Sequence, residues 1–219
     1  MEFIDIATEQ TTAVTDAMLA LLAMGFIPYL FRIGRQHNLG KVKIWSWLFG
    51  LLALSSTLGA VAHGVKMYPE INRIIWQPIN LSLGLTVALF VVAVLYDLRG
   101  HKTARATLPI LLVTGTVFYI VTLIIPGRFI VFILYEVIVM IFALGAYFWL
   151  AIRRRLKGAW LMTAGVLITI VASGVQASGA IYFTLIWEFN FNGIFHLIQM
   201  VGLIVLLFGL RASLLSKTD

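Results

Sequence analysis

The sequence contains no cysteine, which excludes disulfides, thiolate metal ligands and a cysteine nucleophile. It is also poor in charge. Only 11% of its 219 residues are Asp, Glu, Lys or Arg, where a soluble domain carries about 25%. The shortage excludes a water-soluble surface around a core of this size. The connecting segments hold no Walker motif and no glycine-rich nucleotide fingerprint. No HExxH or HxxxH occurs, there is no covalent haem attachment motif, and there is no repeat or low-complexity stretch. The N-terminal MEFIDIATEQTTAVTD lacks the basic region of a signal peptide, so the first apolar segment is expected to remain in the mature protein. Acidic residues are scarce too, 9 against 16 basic, giving a net charge of +7. On a soluble chain that excess would point to nucleic acid. Here the basic residues are distributed as on a membrane surface, and no nucleic-acid partner is expected.

What the chain does have is apolar sequence: 61% of it is hydrophobic. Seven segments are each long enough to cross a bilayer, at 13–34, 42–65, 74–97, 104–125, 129–151, 158–186 and 191–213. A barrel strand needs only about 9–11 residues and alternates, so helices are the reading. The expected fold is all-α: one polytopic seven-helix transmembrane domain over residues 1–219, in contact with the lipid bilayer. The cations alternate from one connection to the next. Arg32, Arg35, Lys41, Lys43, Arg99, Lys102, Arg105, the cluster Arg153 to Lys157, Arg211 and Lys217 fall on one side, and only Lys66, Arg73 and Arg128 on the other. By the positive-inside rule the first side is cytoplasmic, with the N-terminus outside and the C-terminus inside. Trp45 and Trp47 then fall at the inner boundary and Trp76 and Trp187 at the outer, as in an aromatic belt. Pro69 and Pro126–Gly127 mark turns, and Pro78 falls in the first turn of the third span. The absence of cysteine and the short loops suit a bacterial cytoplasmic membrane.

The polar residues of the spans gather toward the outer side. Asn192, His196 and Gln199 share one face of the seventh span. His63 lies late in the second, with Ser56 further back on the same face. Asp16 sits just inside the first, with Glu9 on its face. Gln77 and Asn80 open the third, Gln176 is in the outer half of the sixth, and Glu136 is nearer the middle of the fifth. Asp97, His37 and His101 belong to the opposite boundary. An ionisable group in a span costs about 2.5–3.5 kcal/mol on insertion scales, so these residues should face a polar pocket open to the outside. Plainer roles are available for some of them. Asn192 could cap the seventh helix, Gln176 and Gln199 could join helices, and Glu188 could simply sit in water.

His63, His196 and a carboxylate, Asp16 or Glu136, form a plausible first shell for zinc, whose bound water becomes a nucleophile near neutral pH. The second carboxylate could then serve as general base. The same two histidines could instead ligate a b-type haem. A retinal Schiff base is excluded, because residues 191–213 contain no Lys. A proton pathway would need ionisable groups in the inner half of the spans, and these are lacking.

Seven spans, a His late in the second and a polar His-bearing stripe in the last resemble the superfamily of alkaline ceramidases and adiponectin/progestin-type receptors. The resemblance implies zinc and hydrolysis of lipid amides. His63 matches the second-span ligand and His196 the second His of the last-helix motif. Asn192 stands where that motif has its first His, Gly59 where the family has Ser, and Gln77 and Asn80 open the span where it has Asp. Thr15–Asp16, Gly59 to His63 and His196 to Gln199 also resemble an uncharacterised bacterial membrane-protein family. Three readings are carried forward: a metal-dependent hydrolase of a lipid or lipid-like amide, a non-enzymatic small-molecule or lipid-binding or sensing protein, and a b-haem protein.

Overall fold

The computed structural model describes residues 2–34, 38–125 and 130–216. The expected turn at Pro126–Gly127, together with Arg35, His37, Arg128 and Lys217, lies outside the described residues. The order is α1 (Ala7–Gly34), α2 (Leu39–Gly64), α3 (Pro69–Arg99), α4 (His101–Ile124), α5 (Ile130–Ile152), α6 (Ala159–Ser178), a short hairpin β1 (Phe183–Thr184) and β2 (Glu188–Phe189), and α7 (Phe191–Leu214). All seven helices are long and apolar enough to cross a membrane. Large apolar side chains such as Leu21, Ile110, Ile138, Ile141 and Phe148 point away from the protein. That is what lipid contact allows and water does not. Together these features describe an integral membrane protein.

Several boundaries differ from the sequence reading. The third helix starts at Pro69, whose missing N–H suits the first helical turn, so Gln77, Pro78 and Asn80 lie inside α3 and do not open it. The sixth helix ends at Ser178 instead of running to residue 186. Gly179 takes the left-handed conformation at φ 60° and its N–H returns to the Gln176 carbonyl. The following AIYFTLIW is apolar but aromatic and β-branched, and it forms the hairpin, where Phe183 stacks on Phe189. Apolar content alone does not separate that strand from a helix.

Helices α1, α2, α3, α5, α6 and α7 pack in a ring, with α7 returning to α1, while α4 lies outside against α3. Two glycines allow that approach: a Cβ on Gly84 would stand 2.7 Å from the Gly115 carbonyl oxygen, and one on Gly115 2.8 Å from that of Gly84. One half of the ring is filled by Trp45, Phe49, Phe90, Val94, Leu150 and Leu210. Trp45 is therefore no belt residue: it is fully buried against Phe49 and Phe90, whereas Trp47 points outward. Lys41 is likewise not a surface cation. Its ammonium is buried against the Asp97 carboxylate and donates to Ser213 Oγ at 2.8 Å, while Tyr147 donates to the other Asp97 oxygen at 3.2 Å. This network ties α2, α3, α5 and α7 at one end. At the other end the chain before α1 lies along the end of α2, through Ile4 N–H to Gly64 O and Lys66 N–H to Glu2 O.

Candidate functional site: a polar-mouthed shaft

The other half of the ring is hollow. A cavity of about 1150 Å³ runs between the helices. It reaches from Lys66 and Met67 in the α2–α3 connection down to Trp45 and Phe90. From His63 to Trp45 this is about 27 Å along α2 at 1.5 Å per residue, close to the thickness of a hydrocarbon core. Its upper wall carries Asp16, Ser56, His63, Gln77, Asn80, Glu136, Gln176, Asn192, His196 and Gln199, so ten of the residues singled out in the sequence line one space. Glu9, the remaining one, does not line it but holds His63. The lower wall is apolar, with Leu48, Leu52, Val87, Met140, Leu203 and Leu206.

The two histidines have different partners. His63 Nδ1 lies 2.7 Å from Glu9 Oε2. Its ring meets Trp76 edge to face. His196 Nδ1 lies 3.0 Å from Thr15 Oγ1, and its Nε2 lies 3.4 Å from Asp16 Oδ1. Thr12, Thr15 and Asp16 recur at helical spacing, so one face of α1 meets α7 with all three. The same face explains Gly59. A Cβ there would stand 2.7 Å from Asp16 Oδ2, so α2 must lack a side chain for Asp16 to reach His196. At the rim Lys66 binds Asp5 at 2.6 Å and Glu2 at 3.4 Å, and the hydrogen bond its ammonium donates to Asp5 holds its pKa above the ordinary lysine range.

Asn192 does not cap α7. Asn190 does, its Oδ1 accepting from the backbone of Asn192 and Gly193, each at 3.0 Å, and from Thr12 Oγ1 at 3.0 Å. That frees the Asn192 side chain to accept from Gln176 Nε2 at 3.3 Å, within the cavity wall. Glu188 is exposed, and its backbone carbonyl accepts from Thr11 at 2.6 Å. Glu136 is buried and accepts from Ser173 Oγ at 2.9 Å. Sequence reading passed over Thr12, Ser173 and Asn190. The first two are common in helices and gave no signal. Asn190 was recoverable, because a cap two residues before an Asn-Gly pair is as plausible as one on Asn192.

Among the described residues no three His, Asp or Glu side chains are grouped closely enough to hold a metal ion. Two of the donors do suit one. Bonds of about 2.0–2.1 Å in a tetrahedron place neighbouring ligand atoms about 3.3 Å apart, and His196 Nε2 and Asp16 Oδ1 are separated by 3.4 Å. Both histidines also have Nδ1 held by an oxygen, as metal-bound imidazoles commonly do. Axial ligation of a haem by His196 would require its Nε2 to leave Asp16.

A family model described as a family of unknown function, DUF6962, matches residues 11–215. The chain belongs to that family. No curated protein and no solved structure matches it. The match to DUF6962 takes in all seven helices except the first four residues of α1, so the cavity lining falls within the matched region apart from Ile4 at the rim, while Glu9, which holds His63, precedes it.

Proposed function

We propose that this DUF6962 protein binds an amphiphilic molecule, a lipid or a lipid-like small molecule, with its head among the polar side chains and its tail down the apolar shaft. One observation carries the reading: a single cavity running most of a bilayer's depth joins a polar end, built from six helices, to an apolar end. The cation distribution supports an orientation with the N-terminus and the polar mouth outside and the C-terminus in the cytoplasm, in a membrane such as the bacterial cytoplasmic membrane.

A second reading is favoured by the spacing of His196 and Asp16: hydrolysis of a lipid-like amide held in the same shaft. His196, Asp16 and, after a shift toward them, His63 would hold zinc, and bound zinc would supply an activated water. Glu136 then stands as the candidate base lower in the cavity. Its contribution would be to accept a proton beside the bound chain, in a site from which the apolar wall excludes bulk water.

The test is native mass spectrometry of the full chain purified in a non-ionic detergent without chelator, with elemental analysis of the same sample. The expected result is one amphiphile per chain, lost when Leu206→Trp fills the shaft. A bare chain, or an adduct that survives Leu206→Trp, would overturn the binding reading. About one zinc per chain, lost in His196→Ala, would turn the assignment to the hydrolase.

A further inference from the structure

The proposal above leaves the head group open, and the cavity wall narrows it. Among the described residues five buried side-chain atoms have no hydrogen-bond partner: Trp45 Nε1, Ser46 Oγ, Gln77 Oε1, Gln176 Oε1 and Gln199 Oε1. The first two belong to the far end of α2, where Trp45 lines the bottom of the shaft, away from its polar mouth. The other three are all acceptors, all line the cavity, and come from α3, α6 and α7. The Gln77 amide has its orientation fixed, since its Nε2 donates to the Arg73 backbone carbonyl, and Gln176 is paired with Asn192 through its Nε2. The nitrogen of each is used, and its oxygen is left facing unfilled space. Gln176 and Gln199 are each only 8% exposed, so bulk water does not serve them. A buried acceptor left without a donor costs about 1–3 kcal/mol.

The buried ionisable groups that the same wall adds to these acceptors are acidic. Asp16 and Glu136 are both carboxyl groups. Among the described residues no cation pairs with Glu136, whose partner is the neutral Ser173 hydroxyl, and Asp16 lies beside His196 with His63 near enough to act on it electrostatically. The basic residues of the wall stand at the rim. Lys66 is taken by Asp5 and Glu2, His63 by Glu9, and Arg73 is exposed, where solvent and salt screen it. Among the described residues the site's polar end therefore offers three orphaned acceptors and two carboxyl groups, and no orphaned buried donor.

We infer that the head group it takes is a cationic hydrogen-bond donor, an amine carried on a long apolar chain, and not a phosphate or carboxylate. An alkylammonium offers three donors to the orphaned amide oxygens and a charge to the carboxylates. A phosphate head would bring more acceptors to a wall whose orphaned atoms are already acceptors, and would meet two carboxyl groups. This inference rests on the amphiphile-binding reading and specifies its ligand.

The test titrates the full chain in a non-ionic maltoside detergent with dodecylamine, dodecyl phosphate and dodecanol at pH 7, following binding by native mass spectrometry and calorimetry. Dodecylamine is expected to saturate at one per chain and to bind at least tenfold more tightly than dodecyl phosphate. Glu136→Gln and Gln199→Leu are each expected to weaken the amine tenfold or more, and to weaken dodecanol, which offers one neutral donor in place of a charged head with three, by a smaller factor. The wild-type comparison decides the matter even if a variant fails to fold. Dodecyl phosphate binding as tightly as the amine, or amine binding indifferent to both variants in folded protein, overturns the inference. Saturable phosphate or dodecanol binding without amine binding does so too, and leaves the amphiphile-binding reading standing. If none of the three saturates, both fall together.

Discussion

Asp16 shows what a single residue demands of its surroundings. Its carboxyl reaches His196 because Gly59 leaves room on α2. Gly59→Ser is therefore expected to destabilise the protein by about 1–3 kcal/mol, the usual cost of overpacking, seen as a lowered midpoint of thermal unfolding in detergent. Adding Asp16→Ala should recover most of that loss, since the clash is with the carboxyl itself, and a double-mutant cycle measures the recovery. A Gly59→Ser midpoint equal to wild type would show that Asp16 does not occupy this space. The polar residues of the cavity could be picked out in the sequence because ionisable and amide groups are rare in spans and so stand out from an apolar background. Their pairing could not. Nothing in the spacing of Glu9, Asp16, His63 and His196 says that each carboxylate takes a different histidine, since that depends on the rotation of α1 against α2 and α7.

At the scale of the element, the start of α7 depends on one side chain. Asn190 Oδ1 accepts from two backbone N–H groups and from Thr12 of α1. Asn190→Ala is expected to cost about 1–2 kcal/mol from the cap alone, whereas Asn190→Asp, which still accepts all three, should cost little. Unfolding midpoints of the two variants provide the comparison, and equal losses would show that the acceptor oxygen is not what matters. Helix existence was legible throughout from apolar length, but helix ends were not. Ser178 ends α6 because Gly179 turns left-handed, and the apolar residues beyond it look no different from a span until their β-branched and aromatic character is weighed. Lys41 was misplaced for a related reason. A lysine at a helix start looks solvent-exposed until a partner from another helix is known, and Asp97 lies on α3, far away in sequence.

For the molecule as a whole, orientation can be tested directly because the chain has no cysteine of its own. Single cysteines at exposed Glu188 and Arg154 should react oppositely with a membrane-impermeant maleimide in intact cells. Glu188→Cys is expected to label from outside and Arg154→Cys only after permeabilisation. The reverse pattern would place the mouth of the shaft in the cytoplasm.

The ring of helices also closes in a particular order as the chain is made. α1 enters the bilayer first, carrying Thr12, Thr15 and Asp16 on the face that α7 will cover, yet α7 is the last helix to leave the ribosome. Throughout synthesis of the five helices between them, that face has no His196 or Asn190 to meet. The newborn protein is thus a curved sheet of helices with its acidic interior open to lipid along one side, and its final helix acts as the closing stave. A chain that stopped before residue 190 would leave Thr12, Thr15 and Asp16 without the Asn190 and His196 they meet in the finished ring.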